Sequence, residues 1–113
     1  MKDPFREYYL SRVVPEMNYT FEKVGSDFPL LGVMHFNRGR AHVLGKNIAA
    51  AVDDFNRAIK ADPKNGDSYV ELSKILEATN QRKEALDTVT KGLQRAPGNA
   101  ALQKRFIELG GKP

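Results

Sequence analysis

At 113 residues the chain has room for one domain with one core, and none for separate catalytic and regulatory domains. Its 41% hydrophobic and 28% charged residues are an ordinary globular balance, and the absence of cysteine removes disulfides, thiolate metal sites and a cysteine nucleophile together. Residues 1–80 carry 11 basic and 11 acidic side chains and residues 81–113 carry 7 and 3, so the whole formal excess of +4 sits in the last third.

Asp3-Pro4 opens the first predicted helix, a capping carboxylate followed by a proline at the first turn, where a missing N–H does no harm. Phe5, Tyr9, Val13, Met17 and Phe21 form a four-residue stripe that crosses Pro15. Two readings follow: one helix kinked at Pro15, or, favoured by the repeat register that Pro29, Pro63 and Pro97 mark, a short helix ending near Ser11 and a second beginning at Pro15. The N-terminus shows no apolar signal segment, and a cytoplasmic setting is expected. The longest clear apolar run, Pro29 to Phe36, falls far short of the roughly 18 residues of a membrane span, so no membrane partner is expected.

Ala51, Val52, Phe55, Ala58 and Ile59 recur at three- and four-residue steps, the stripe of a helix with one apolar face. Asp62-Pro63 and Ala96-Pro97 end helices, because proline cannot continue one and restricts the residue before it. Asn65-Gly66 and Pro97-Gly98-Asn99 are turn chemistry, with Asp67 or Ser68, and Asn99, as the expected N-caps. From Ala100 to Leu109 the residues Leu102, Phe106 and Leu109 share a face, and Gly110-Gly111 is the stop. Strand signals are missing; the expectation is all helix.

A period of 34 organises these elements: Pro29, Pro63 and Pro97 stand 34 apart, and the same offset aligns Phe21 with Phe55 and Val89, Met17 with Ala51 and Ala85, and Val24 with Ala58 and Gly92. Between two copies it also aligns Gly39 with Ser73 and His42 with Leu76. Phe21, Phe55 and Val89 are therefore expected to be buried at equivalent places, where small residues let two helices approach.

These columns resemble the tetratricopeptide repeat, a 34-residue pair of antiparallel helices. The residues that carry the resemblance are Asn37-Arg-Gly-Arg-Ala41, Ala51-Val-Asp-Asp-Phe55, Ala58-Ile59 and Asp62-Pro63, then Tyr69, Leu72, Ser73, Leu76, Ala85, Gly92 and Pro97. The first copy departs at His35 and Arg38, where the family usually has large apolar residues, and its Leu44-Gly45 lies one residue early. The resemblance implies an all-α helix-turn-helix solenoid of about two and a half to three repeats with a capping helix. Residues 1–31 would be a degenerate repeat or kinked helix, 32–65 and 66–99 the repeats, and 100–113 the closing helix and tail, its polar side facing water.

No catalytic constellation stands out. His35 and His42 are seven residues apart on one helix, about 10 Å, too far to share a metal. Asp53 and Asp54 point about 100° apart, and the resemblance places aspartate here on a solvated face. No serine has a histidine at a triad-like spacing, and no glycine-rich stretch opens a phosphate loop. Basic groups at Arg38, Arg40, Lys46 and at Lys104-Arg105 are not interleaved with exposed aromatics. No nucleic-acid partner, metal or cofactor is expected.

What remains is the concave face that the family builds from the first helix of each pair. The family's offsets place Val33, Phe36, Asn37 and Arg40 there, then Asp67, Val70, Glu71 and Lys74, then Ala101, Lys104, Arg105 and Glu108. Many peptide-binding members use an asparagine at the place of Asn37 to bond a ligand's backbone. The family's clamp for chaperone tails needs lysine where Phe36 and Ala101 stand and asparagine where Arg40 and Glu71 stand; only Arg105 fits, so a chaperone-tail adaptor is not expected. The expected function is a non-catalytic interaction module for an extended, acidic peptide or protein segment. The alternatives are a self-associating, homodimeric module, with Val33, Phe36 and Tyr8 or Tyr9 as its exposed apolar groups, and an accessory fragment of a larger enzyme or assembly.

Overall fold

The computed structural model describes residues 3–25 and 27–112, and every regular element among them is a helix. In chain order these are α1 (Pro4–Tyr8), a π-helical turn (Tyr9–Val13), α2 (Val14–Lys23), α3 (Leu31–Leu44), α4 (Ile48–Ala61), α5 (Gly66–Ala78), α6 (Arg82–Arg95) and α7 (Ala100–Glu108). They group into two compact units, Met1–Ala58 and Ile59–Pro113, with the division inside α4.

In the first unit the Asp3 carboxylate accepts from the N–H groups of Phe5 (3.1 Å) and Arg6 (3.2 Å), which starts α1 with Pro4 in its first turn. The helix does not stop at Ser11. Pro15 cannot donate to the Ser11 carbonyl, and the backbone widens into the π turn just ahead of it and runs on as α2. The single-helix reading therefore describes this segment, and no new helix begins at Pro15.

Phe55 is fully buried on α4 against Gly39 of α3, where a Cβ would stand 2.8 Å from the phenyl ring. Gly45 is a glycine for the same reason: the Tyr9 ring occupies the space a Cβ would need. The left-handed residue that closes α3 is instead Lys46 (φ 64°), with Asn47 N–H bonding the His42 carbonyl at 2.8 Å. The one-residue offset at Leu44-Gly45 thus has a packing cause. Phe21, expected to be buried, is only half-buried; its ring lies 4.6 Å from the His35 ring and 3.8 Å from the Arg38 guanidinium rather than in an apolar pocket.

In the second unit Tyr69, Ala85, Val89, Leu102 and Leu109 form the core, with Ile59, Val70, Leu76, Leu86, Leu93, Ala96 and Phe106 packed against it. Gly92 admits the Tyr69 ring, which would stand 2.8 Å from a Cβ there, and the Tyr69 hydroxyl donates to the Pro63 carbonyl at 2.8 Å. Asn99 caps α7 through Leu102 N–H (3.0 Å), as expected. The cap of α5 is Asn65, which accepts from Asp67 N–H at 3.1 Å, and not Asp67 or Ser68: Ser68 is buried inside the helix. Gly110 (φ 89°) takes the left-handed conformation that ends α7.

Removing the Phe55 ring leaves a cavity between α3 and α4 that Gly39 cannot fill. Phe55→Ala should lower stability by about 3–5 kcal/mol, read from the urea midpoint. An unmoved midpoint would show that the ring is not part of the core.

Candidate functional site

Helix α3 has two opposed faces. His35, Arg38 and His42 follow one another at steps of three and four and point toward α4, where they surround one carboxylate. Asp54 is 1% exposed, so the expected solvated face holds for its exposed neighbour Asp53 alone. Arg38 grips Asp54 as a fork, Nε donating to Oδ2 and Nη2 to Oδ1, both at 2.7 Å. His35 Nδ1 lies 3.3 Å from Oδ1, His42 Nε2 3.3 Å from Oδ2, and Arg57 Nη1 3.5 Å from Oδ1. The two histidines that spacing holds apart thus meet at the two oxygens of a single side chain.

Burial by itself pushes the Asp54 carboxyl up; the hydrogen bonds and charge of Arg38, with His35 and His42, outweigh it and hold the group below its ordinary value. Burial also holds both imidazoles below theirs, against the pull of Asp54. A neutral His42 keeps its proton on Nε2, facing a carboxylate that only accepts, and its Nδ1 then accepts from the Tyr9 hydroxyl. Tyr9, His42 and Asp54 have the connectivity of a nucleophile, base and orienting acid. Tyr9 is 1% exposed, however, and burial raises its phenol, so its oxygen is neither ionised nor within reach of a substrate. The chain of bonds is a fastening. Asn18 and the half-buried Phe21 complete it, Asn18 Oδ1 accepting from Arg38 Nη1 at 3.3 Å.

The opposite face of α3 carries the sequence-predicted residues of this unit. Val33 is 45% exposed, Asn37 and Arg40 are exposed, and Phe36 is half-buried with its ring 5.8 Å from that of Phe55. The Arg40 guanidinium lies 5.9 Å from the centre of the Phe36 ring. These four side chains share one stripe.

In the second unit Asp67, Val70, Glu71 and Lys74 share a stripe on α5; Lys74 and Glu71 pair at 3.6 Å, and Val70 is half-buried against the core. On α7, Ala101, Lys104 and Glu108 are exposed. Arg105 is not a free surface cation. It is 6% exposed, donates from Nε to Ser73 Oγ at 2.9 Å and from Nη2 to Glu77 Oε1 at 2.8 Å, and so ties α7 to α5. That hydrogen bond, with the charges of Arg105 and Arg82, holds Glu77 below the usual carboxylate range.

Sequence reasoning missed Asp54 and Glu77 as organising groups. A signal for the first was present: His35 and Arg38 break the apolar pattern together, and polar residues that replace a core face in step require a buried partner opposite. Glu77 had no such signal, being joined to Arg105 across 28 positions. Among the described residues no group of three or more histidines and acids could hold a metal ion, and no helix is long and apolar enough to cross a membrane.

Comparison with known proteins agrees with the 34-residue period. A family model described as tetratricopeptide repeat matches residues 44–105. A small glutamine-rich tetratricopeptide repeat-containing protein 2 from Mycosarcoma maydis is 36% identical over 55 residues, 49% of this chain and 16% of that protein. The Hsp90 co-chaperone Cns1 from Saccharomyces cerevisiae superposes over 94% of this chain and 37% of its own, with a TM-score of 0.69 at 20% identity, a likeness of fold. The chain thus spans well under half the length of either.

The Asp54 cluster makes stability depend on pH in a defined direction. In the unfolded chain His35 and His42 titrate near 6.5, whereas the folded protein takes up their protons only at lower pH, so stability falls as pH drops below that value. Asp54 acts the same way further down: its stabilisation is present above 3.8 and is lost as pH falls through its lower folded value. Urea midpoints should therefore decline from pH 7.5 to 5.5, and the decline should flatten in a His35→Gln/His42→Gln variant. Asp54→Ala, which strands Arg38, should cost about 3–5 kcal/mol. A pH-independent wild-type midpoint would contradict this account.

Proposed function

The chain belongs to the tetratricopeptide repeat family, and from that premise we propose that it is an interaction module for an extended, acidic peptide or protein segment, engaged within each unit by the outward side chains of α3 in the first and of α5 and α7 in the second. The observation that carries the proposal is the inversion of α3. Its polar residues are turned inward onto Asp54, while Val33 and Phe36 are left on the outer side beside Asn37 and Arg40. An apolar and aromatic platform with an amide and a cation at its edge suits a peptide that lays down a side chain and offers carbonyls and carboxylates. In the second unit Lys74 and Lys104 add charge of the same sign, tempered by Asp67, Glu71 and Glu108.

The Saccharomyces relative is described as an Hsp90 co-chaperone. A chaperone tail fits this chain poorly: Phe36, Arg40, Glu71 and Ala101 differ from the clamp pattern, and Arg105, its one match, is engaged by Ser73 and Glu77.

Acidic peptides should bind with micromolar or weaker affinity, better than basic peptides of equal length, and more weakly as salt shortens the screening length. Fluorescence anisotropy with matched acidic and basic libraries measures this. Arg40→Glu/Lys74→Glu should remove the preference and leave the helical circular dichroism unchanged. Equal or better binding of basic peptides by the unmodified protein would overturn the assignment.

A second reading, self-association, is favoured by Tyr8, Leu10 and Tyr19, all more than half exposed on the N-terminal helical segment; Tyr9 drops out because it is buried. Light scattering should show a mass that rises with concentration and falls back in a Tyr8→Lys/Tyr19→Lys variant. A strict monomer up to millimolar concentration would leave only the peptide reading.

A further inference from the structure

Helix α7 was expected to close the fold with a polar outer side; Gln103, Lys104 and Glu108 are exposed on it, and Ile107 adds an apolar flank. Ile107 is 60% exposed and Phe106 half-buried, and between them and α6 lies a cavity of about 440 Å³. Its walls are Leu93 of α6, Pro97 of the turn, Gln103, Phe106 and Ile107 of α7, and Lys112 beyond it. This face lies roughly opposite the Ala101, Lys104 and Glu108 stripe around the helix, at about 100° per residue.

Two polar side chains line the cavity, Gln103 and Lys112. Gln103 Nε2 donates to the Pro97 carbonyl at 2.8 Å, which satisfies the turn and leaves the floor apolar. After α7 the left-handed Gly110 turns the chain back, Gly110 N–H bonding the Ile107 carbonyl at 2.9 Å and Gly111 N–H the Phe106 carbonyl at 2.8 Å. Gly111 lies against the Phe106 ring so closely that a Cβ would collide with it. The two glycines, read from the sequence as a stop, thereby set Lys112 on the cavity rim, where it has no ion pair among the described residues.

We propose that this cavity is a second docking site, distinct from the α3, α5 and α7 stripes, and that its occupant is a short amphipathic helix of a partner protein, bearing large apolar residues one turn apart and a carboxylate beside them. The volume suits about two large side chains, as in helix-in-groove recognition. Charge complementarity selects the acidic partner: the one charged side chain lining the cavity is the exposed Lys112, and no acidic side chain lines it. A second copy of the same face would bring Lys112 against its own counterpart. The apolar walls supply the burial, and Lys112 sets the direction in which the helix lies.

The test uses the 113-residue chain and two fluorescein-labelled amphipathic peptides with leucines at i and i+4, one flanked by glutamates and its twin by lysines. The glutamate peptide should bind saturably and at least about tenfold more tightly than its twin. Lys112→Glu should level the two, and Ile107→Glu should weaken the glutamate peptide at least about tenfold. Both positions lie outside the core, and unchanged circular dichroism checks that the variants fold. Amide shifts in ¹⁵N spectra should centre on Leu93, Gln103, Phe106, Ile107 and Lys112, and Arg40→Glu/Lys74→Glu should leave this binding intact, which separates it from the peptide stripes. Equal binding of the twins, indifference to Ile107→Glu, or a wild-type dimer dissolved by Ile107→Glu would overturn the proposal. Dodecanoate shifting these amides while neither peptide does would assign the cavity to a small amphiphile and overturn it as well.

Discussion

A carboxylate that is taken out of water must have its charge answered, and in the first unit that requirement falls on Asp54. The desolvation of an isolated carboxylate would cost several kcal/mol; the Arg38 fork, two imidazoles and the edge of Arg57 meet both oxygens instead. The arrangement fixes more than one pair. His42 reaches on to Tyr9, His35 and Arg38 carry the Phe21 ring, and Arg38 holds Asn18, so the N-terminal helical segment is fastened through the same side chains that satisfy Asp54. Such a network is satisfied in one register only, because sliding any helix by a residue leaves a buried charge unpaired.

The second unit solves the same packing problem with apolar groups. Under the 34-residue offset His35 becomes Tyr69, Arg38 becomes Leu72, His42 becomes Leu76 and Asp54 becomes Thr88, so four columns change together. Tyr69 and Leu72 are buried, Leu76 packs on the core, and the Thr88 hydroxyl bonds the Glu84 carbonyl of its own helix at 2.9 Å. The concerted change is what the physics demands. A buried aspartate opposite leucine, or a buried arginine opposite threonine, would be an orphaned charge.

This difference shapes the two surfaces. With its polar side committed inward, α3 presents Val33 and Phe36 outward beside Asn37 and Arg40, the combination on which peptide binding is argued. In the second unit Arg105 is drawn in by Ser73 and Glu77, Lys104 is left exposed on α7 and Lys112 beyond it, and Ile107 stays exposed beside the half-buried Phe106. In both units the inward demand for charge pairing decides which residues a partner can touch.

The sequence by itself determined the helices and most of their ends, because each rests on neighbours within a turn or two: Asp3 before Pro4, Asn99 before α7, Pro63 and Pro97 just past α4 and α6. The stripes of α3 and α5 follow from the family's offsets and not from spacing; Val33, Asn37, Arg40, Asp67 and Lys74 among them are exposed. What the sequence left to the tertiary structure depends on partners far along the chain. Asp54 turns inward because of residues 12 to 19 positions earlier, Tyr9 is buried by a histidine 33 positions later, and Arg105 is captured by a glutamate 28 positions before it. The helix running through Pro15 belongs to the same class, for a proline's local preference to end a helix yields when both flanks are held: Tyr9 on one side by His42, Asn18 and Phe21 on the other by Arg38 and His35. Local spacing decides what kind of element forms; the identity of the group across the interface decides which of its faces goes inside.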